Sequence, residues 1–212
     1  RVDAARMSSF ASAEEGAAYL ARFRADSIVR DAEHLRKTVY GGRRWTTLGQ
    51  SYGGWITLEY LSAAPEGLAA SMIMGGLPSL HPDAADLYRR TYPRALAKSL
   101  RYEQRYPGDT EVISRIADLL TEQDVRLPDG DRLTVRRLQF LGGGRFGMQH
   151  GFEELHWLLD TAFGSDGGLS DAFLESAQAI TSFADNPLWA ALQEAAEYTD
   201  DTSGATRWAV QR

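Results

Sequence analysis

The sequence predicts an α/β chain in two parts: a parallel sheet with helices on its faces, then a mostly helical block. Three observations carry this reading. Residues 24–76 alternate between helix and strand patterns. Residues 68–74 (LAASMIM) form a nearly uninterrupted apolar run between glycines. After Pro78 the strand signals stop. The first part is expected to occupy residues 1–78 and the second residues 79–212.

Taken in order, Ser12 followed by Glu14 and Glu15 predicts a helix start, with acids near the positive end of the helix dipole. From Arg24 to Tyr40, Ile28, Val29, Ala32, Leu35 and Val39 recur at spacings of three and four, one apolar helical face with Arg30, Asp31 and Lys37 opposite. Gly41-Gly42 ends that helix. Arg44–Leu48 is a short β-rich run, and Trp55, Ile56, Leu58, Tyr60 and Leu61 support a helix that stops near Pro65. The run Leu68–Met74 reads as a strand buried on both faces, the kind a parallel sheet contains. Helix, strand, helix, strand is the order that places helices on a parallel sheet.

Beyond Pro78, helices are predicted over 83–105, 109–123, 133–141, 148–163, 170–183 and 187–198. A turn lies at Asp129-Gly130, and Gly142-Gly143-Gly144 is expected to be a cap loop. So long a helical block after a strand looks like a cap set on an α/β core.

The 212 residues can bury a real core, and the balance of 43% hydrophobic to 25% charged residues is that of an ordinary globular protein. A net charge of −6 argues against a nucleic-acid partner. The short basic clusters Arg136-Arg137 and Arg89-Arg90 with Arg94 are offset by acids. No apolar run reaches the roughly 18–20 residues that span a bilayer, so no membrane partner is expected. With no cysteine there is no disulfide and no thiolate chemistry, which favours the cytoplasm. No HExxH or similar spacing points to a metal, and no cofactor is expected. Both ends break off within structured patterns, so the chain reads as part of a longer one.

The chemistry concentrates at TTLGQSYGGWITLEYL, where Gly49-Gln50-Ser51-Tyr52-Gly53 is a G-x-S-x-G between a strand and a helix. That context defines the nucleophile elbow. The serine sits on a tight, strained turn that lifts its hydroxyl above the sheet. Bulky side chains two positions before or after it are expected to strike neighbouring backbone. Ser51 is thus the candidate nucleophile, and the Tyr52 backbone N–H, at the start of the following helix, the candidate oxyanion donor.

Four histidines could serve it, and none is assigned. His34 lies on the polar side of its helix, His81 is in a loop after the strand, and His150 and His156 lie in the helical block.

GGRRWTTLGQSYGG, then APEGLAA with MGGLP, then LPDGDRLTVRRLQFLGGGRFGMQHGFEELHWLLDTAF together resemble the proline iminopeptidases, serine enzymes of the α/β-hydrolase superfamily. The resemblance runs from about Arg24 to the C terminus, and the long cap stretch is its most specific part. It implies an α/β-hydrolase core with a helical cap, no metal, and release of an N-terminal proline or small residue from a peptide or amide through an acyl-enzyme on Ser51. The family recognises the substrate's free amine with cap glutamates. By resemblance that role falls to Glu154 in Phe152-Glu153-Glu154-Leu155-His156, and to Glu194 in the stretch that begins Asn186-Pro187-Leu188-Trp189. Phe152 and Trp157, with Phe146 and Trp189, are candidates to line an apolar pocket for the proline ring. The family's HGGPG-type oxyanion loop and its DQRGxGxS-like stretch are absent, and its triad acid and base, which follow the cap, are expected outside these 212 residues. Two alternatives stand beside this reading: an esterase or amidase of other specificity, and a catalytically inert binding piece.

Overall fold

A computed structural model of the chain describes residues 2–79, 83–199 and 204–211. They form two compact units. The first comprises Arg1–Tyr88 with Asn186–Arg212, the second Arg89–Asp185. The segment from Asn186 onward packs with the first unit, although the sequence reading groups it with the helices of residues 79–212.

The first unit opens with two short helices, α1 (Ala4–Ser8) and α2 (Ala13–Ala21). The Ser12 hydroxyl caps α2 by accepting the Glu15 N–H at 3.3 Å, as its sequence signature predicts. Helix α3 (Ala25–Thr38) leads through Gly41-Gly42 to strand β1 (Trp45–Gln50), helix α4 (Tyr52–Ala63), a 3₁₀ turn at Pro65–Gly67 and strand β2 (Leu68–Met74). The strands pair in parallel, with Leu48 opposite Met72 and Gln50 opposite Met74. Val29, Tyr60, Ala64 and Leu68 form the buried cluster of this unit, with Ala32, Trp45 and Ile56 against it.

Two expectations are corrected here. On α3, Ile28, Leu35 and Val39 are exposed, while Glu33 and Arg36 are buried. A polar network makes that possible. The Arg36 guanidinium donates from Nε and Nη2 to both oxygens of Glu33 (2.6 and 2.9 Å), and the Tyr60 hydroxyl donates to Glu33 Oε1 at 2.6 Å. Paired and hydrogen-bonded in this way, the two charges tolerate burial. The donors hold the Glu33 carboxyl far below the usual carboxylate range, the Arg36 hydrogen bond most of all, against burial that would raise it. Burial first, and then the bond to Glu33, push the Tyr60 hydroxyl up to about 12. The second correction concerns β2: only Leu68 is fully buried, and Met72 and Met74 are exposed. Helix α4 covers one face of the sheet, and no element among the described residues covers the other.

The second unit contains most of α5 (Ala84–Arg105), then α6 (Asp109–Glu122), α7 (Val135–Arg145), α8 (Gly151–Asp160) and α9 (Asp171–Thr181). The chain then re-enters the first unit with α10 (Pro187–Glu197). Ile116, Leu133, Leu141 and Phe173 are the largest fully buried side chains, and all lie in the second unit. The Gly142–Gly144 stretch continues α7 and is not the loop expected. Contacts of α7 with α8 and α9 outweigh the intrinsic cost of glycine in a helix. Asp109 is buried at the start of α6; it accepts a short hydrogen bond from the Tyr102 hydroxyl and lies 3.0 Å from His156 Nδ1. No helix among the described residues is long and apolar enough to cross a membrane.

Candidate active site

Ser51 occupies the junction between β1 and α4 with φ 54° and ψ −123°, a region that side-chain-bearing residues rarely enter. The surrounding structure holds it there. Its N–H donates to the Met74 carbonyl at 3.1 Å, tying the turn to the end of β2, and its carbonyl accepts the Gly54 N–H at 2.8 Å. Its side chain is exposed. Strand and helix force the chain to reverse within one residue, and the strain lands on the serine.

The glycines show what this turn demands. A Cβ on Gly49 would run into the Gly53 carbonyl and come within 2.5 Å of Thr57 Oγ1. A Cβ on Gly54 would strike Gly76, and one on Gly76 would strike the Ser51 carbonyl. At Gly53 a Cβ would meet nothing within 4 Å. The crowding expected two residues after the serine is therefore found three residues after it, where α4 crosses the chain leaving β2.

Tyr52 is the first residue of α4, so its N–H lies at the positive end of the helix dipole, one residue after Ser51. Its side chain begins a run of aromatic contacts that the sequence reading missed. Tyr52 meets Trp55 edge-on at 5.7 Å, Trp55 meets Tyr198 at 6.5 Å, and Tyr198 meets Tyr88 at 6.1 Å. The Trp55 indole N–H is buried with no hydrogen-bond partner among the described residues.

The run ends at Glu194, to which the Tyr88 side chain is hydrogen-bonded. Glu194 is 3% exposed and accepts the backbone N–H groups of Ala209 (2.8 Å) and Val210 (3.2 Å). Burial acts to raise its pKa, but hydrogen bonds from Thr206, these two amides and Tyr88 outweigh it and hold the carboxyl below the ordinary range. Nothing local in the sequence foretells this, because α10 returns to the first unit only after the whole helical block.

The remaining candidates lie in the second unit. Glu154 on α8 forms a close ion pair with Arg145, and its neighbour Glu153 pairs with Arg105 at 2.5 Å. Phe152 packs against Tyr102 and Phe146 in the core of that unit, whereas Trp157 is 66% exposed. Ser51, Tyr52 and Glu194 thus share one unit, and Glu154, Phe152 and Trp157 share the other.

His34 and His150 are exposed, and His156 is engaged with Asp109. His81 lies outside the described residues. No group of three or more potential metal ligands occurs among the described residues. A cavity of about 530 Å³ near the N terminus, lined by Met7, Phe10, Gly16 and Leu20 among others, has no ionisable side chain in its wall.

No family model matches the chain. It is, however, 41% identical over 194 residues to a proline iminopeptidase of Aeromonas sobria, an alignment that takes in 92% of this chain and 44% of that protein. The chain is a relative of the proline iminopeptidases. A second such protein, from Aspergillus aculeatus, is 33% identical over 142 residues, covering 65% of this chain and 31% of its own length. The resemblance read from the elbow and cap stretches is therefore borne out, and the chain spans less than half the length of either relative. Its small parallel sheet and many helices are compatible with part of an α/β fold.

Proposed function

We propose that the chain carries the nucleophile and the substrate-selecting part of a serine hydrolase of α/β-hydrolase fold, which releases N-terminal proline or a small residue from peptides. The observation that supports this best is the backbone of Ser51, held at φ 54° between strand and helix, with Gly49, Gly54 and Gly76 around it where a larger residue would collide. Such strain persists only where the surroundings over-determine it, and it clusters at functional sites.

In this reading the Ser51 hydroxyl attacks the carbonyl of the N-terminal residue, and the Tyr52 N–H stabilises the oxyanion. The amine leaves, and water then releases the acyl group. Residues 1–78 contribute the core and residues 79–212 the cap. Glu194 and Glu154 are the carboxylates available to the substrate ammonium, and Phe152 and Trp157 the apolar surfaces for the ring. The base and acid of the triad are not assigned among these residues.

One observation favours a second reading, an esterase or amidase acting on uncharged substrates. Both carboxylates are already engaged, Glu154 by Arg145 and Glu194 by backbone amides. Glu194→Gln and Glu154→Gln separate the two, assayed on L-proline p-nitroanilide and on a simple p-nitrophenyl ester after co-expression with the segments of the Aeromonas sobria relative that this chain does not match. An aminopeptidase loses the anilide activity by tenfold or more and keeps the ester activity. Equal losses on both substrates, or none, remove the amine-binding role.

A further inference from the structure

Two stretches of chain join the units, and each carries a backbone irregularity. The first crossing runs through α5, which belongs to the first unit up to Tyr88 and to the second from Arg89. Its start is seated by Ala84, 6% exposed, and its end by Tyr102, 3% exposed. Tyr102 packs on Phe146 and Phe152, and Lys98 Nζ donates to the Phe146 carbonyl at 2.6 Å. Between these anchors Pro93, Arg94, Ala95, Leu96 and Ala97 are all exposed. That run is longer than one helical turn of about 3.6 residues, so no side of α5 is buried there. Pro93 also lacks the N–H that would donate to the Arg89 carbonyl, and its ring crowds that carbonyl. The helix is weakest where its own hydrogen bonds have to hold it.

The second crossing lies between α9 and α10. Phe183 has φ 51°, a left-handed conformation that a side chain makes costly. Its ring is set in the second unit against Phe140, with centroids 5.2 Å apart. Ala184, Asp185 and Asn186 are exposed and lie outside the helices. The Asn186 side chain then starts α10 by accepting the Trp189 N–H at 3.3 Å. A left-handed residue followed by three exposed ones makes a bend between helices that belong to different units.

Bodies joined at a few such positions move by hinge rotation, and helix-interior prolines and element ends are where the backbone change is absorbed. We infer that α5 at Pro93 and the Phe183–Asn186 link are the two joints of a hinge, about which the helical unit turns as one body. The close packing around Ile116, Leu133, Leu141 and Phe173 keeps that unit rigid as it turns. The motion itself is independent of the proposed hydrolysis, but its consequence rests on that reading. Ser51 and Tyr52 lie in one unit and Glu154, Phe152 and Trp157 in the other, so the hinge sets their separation. It opens to admit a peptide and closes to bring nucleophile and carboxylate onto it.

The absence of cysteine lets spin labels be placed at chosen sites. Ser62→Cys with Ser114→Cys spans the two units at exposed positions, and Ser114→Cys with Glu175→Cys lies within the helical unit. Double electron–electron resonance on the 212-residue chain is expected to give a cross-unit distance distribution at least twice as wide as the within-unit one. Pro93→Ala, which restores the missing hydrogen bond, narrows the cross-unit distribution by a third or more. Phe183→Gly, which takes the left-handed conformation without penalty, widens it. Both leave the within-unit distribution unchanged, the control that the helical unit stays folded. A cross-unit width equal to the within-unit width overturns the hinge. A width that neither replacement changes overturns the assignment of the joints. Ser51→Ala leaves every distance as it was, so a wide, Pro93-sensitive distribution in a chain that never forms an adduct at Ser51 keeps the hinge and removes the hydrolase reading.

Discussion

Replacing Glu33 by alanine is expected to destabilise the first unit by about 3–5 kcal/mol, the cost of breaking a buried ion pair. The carboxylate receives two hydrogen bonds from Arg36 and one from Tyr60. Without it, the guanidinium, in a residue 5% exposed, keeps the carbonyls of Gly42 (2.5 Å) and Arg43 (3.4 Å) and the Tyr60 hydroxyl. None of these neutralises the charge. Lys37, the second cation at Glu33, is 59% exposed and accounts for about 1 kcal/mol at most. Tyr60→Phe removes one hydrogen bond to a charged group and is expected to cost about 1.5–3 kcal/mol. Pairing Glu33→Ala with Arg36→Met removes both charges and is expected to recover much of the loss. The assay is urea unfolding followed by tryptophan fluorescence, with hydrogen exchange at the β1 amides to localise the effect. The network joins α3, α4 and the turn into β1, so the elbow loosens with it. A Glu33→Ala midpoint within about 0.5 kcal/mol of wild type, or a double variant as unstable as the two losses summed, would refute the reasoning.

The same network predicts the acid response. Glu33 and Glu194 both have folded pKa values below the unfolded 4.5, so their stabilisation is complete above that pH and drains as pH falls through the folded values. Protection of the Ala209 and Val210 amides against hydrogen exchange, relative to the intrinsic rate at each pH, is therefore expected to fall below about pH 4.5, while Glu194→Gln shows weaker protection already at neutral pH. Among the glycines, Gly49→Val and Gly54→Ala are expected to cost roughly 1–3 kcal/mol or more through backbone collision, and Gly53→Ala to be near neutral, as read from thermal midpoints. In the second unit, Tyr102→Phe leaves Asp109 with one donor fewer and is expected to cost about 1.5–3 kcal/mol in urea unfolding.

The elbow is the most legible part of the chain because its determinants are local. Strand, glycine, serine, glycine and helix sit within a few residues, and the strained backbone of Ser51 follows from them. Helix positions were legible for the same reason, through periodicity and signals such as Ser12 and Pro65. What escaped depends on partners distant in sequence. Glu33 and Arg36 look like a solvated face until Tyr60, from another helix, supplies the third member of a buried network. Gly142–Gly144 look like a loop until α7, packed on α8 and α9, carries its helix through them. Tyr198 and Glu194 share a unit with Ser51, Trp55 and Tyr88 because α10 returns to it, which no window of sequence contains. The exposure of Met72 and Met74 reverses the reading of β2 for a related reason: an apolar run reports what a strand is built to bury, not what is present to bury it.

The central claim, that Ser51 is an activated nucleophile, is tested most directly by a fluorophosphonate probe, with the modified residue located by peptide mass analysis. The 212-residue chain is compared with itself after co-expression with the unmatched segments of the Aeromonas sobria relative. An adduct is expected on the peptide containing Ser51 when those segments are supplied, little or none on the chain alone, and none in Ser51→Ala. Labelling of another residue, or an adduct that survives in Ser51→Ala, would contradict it.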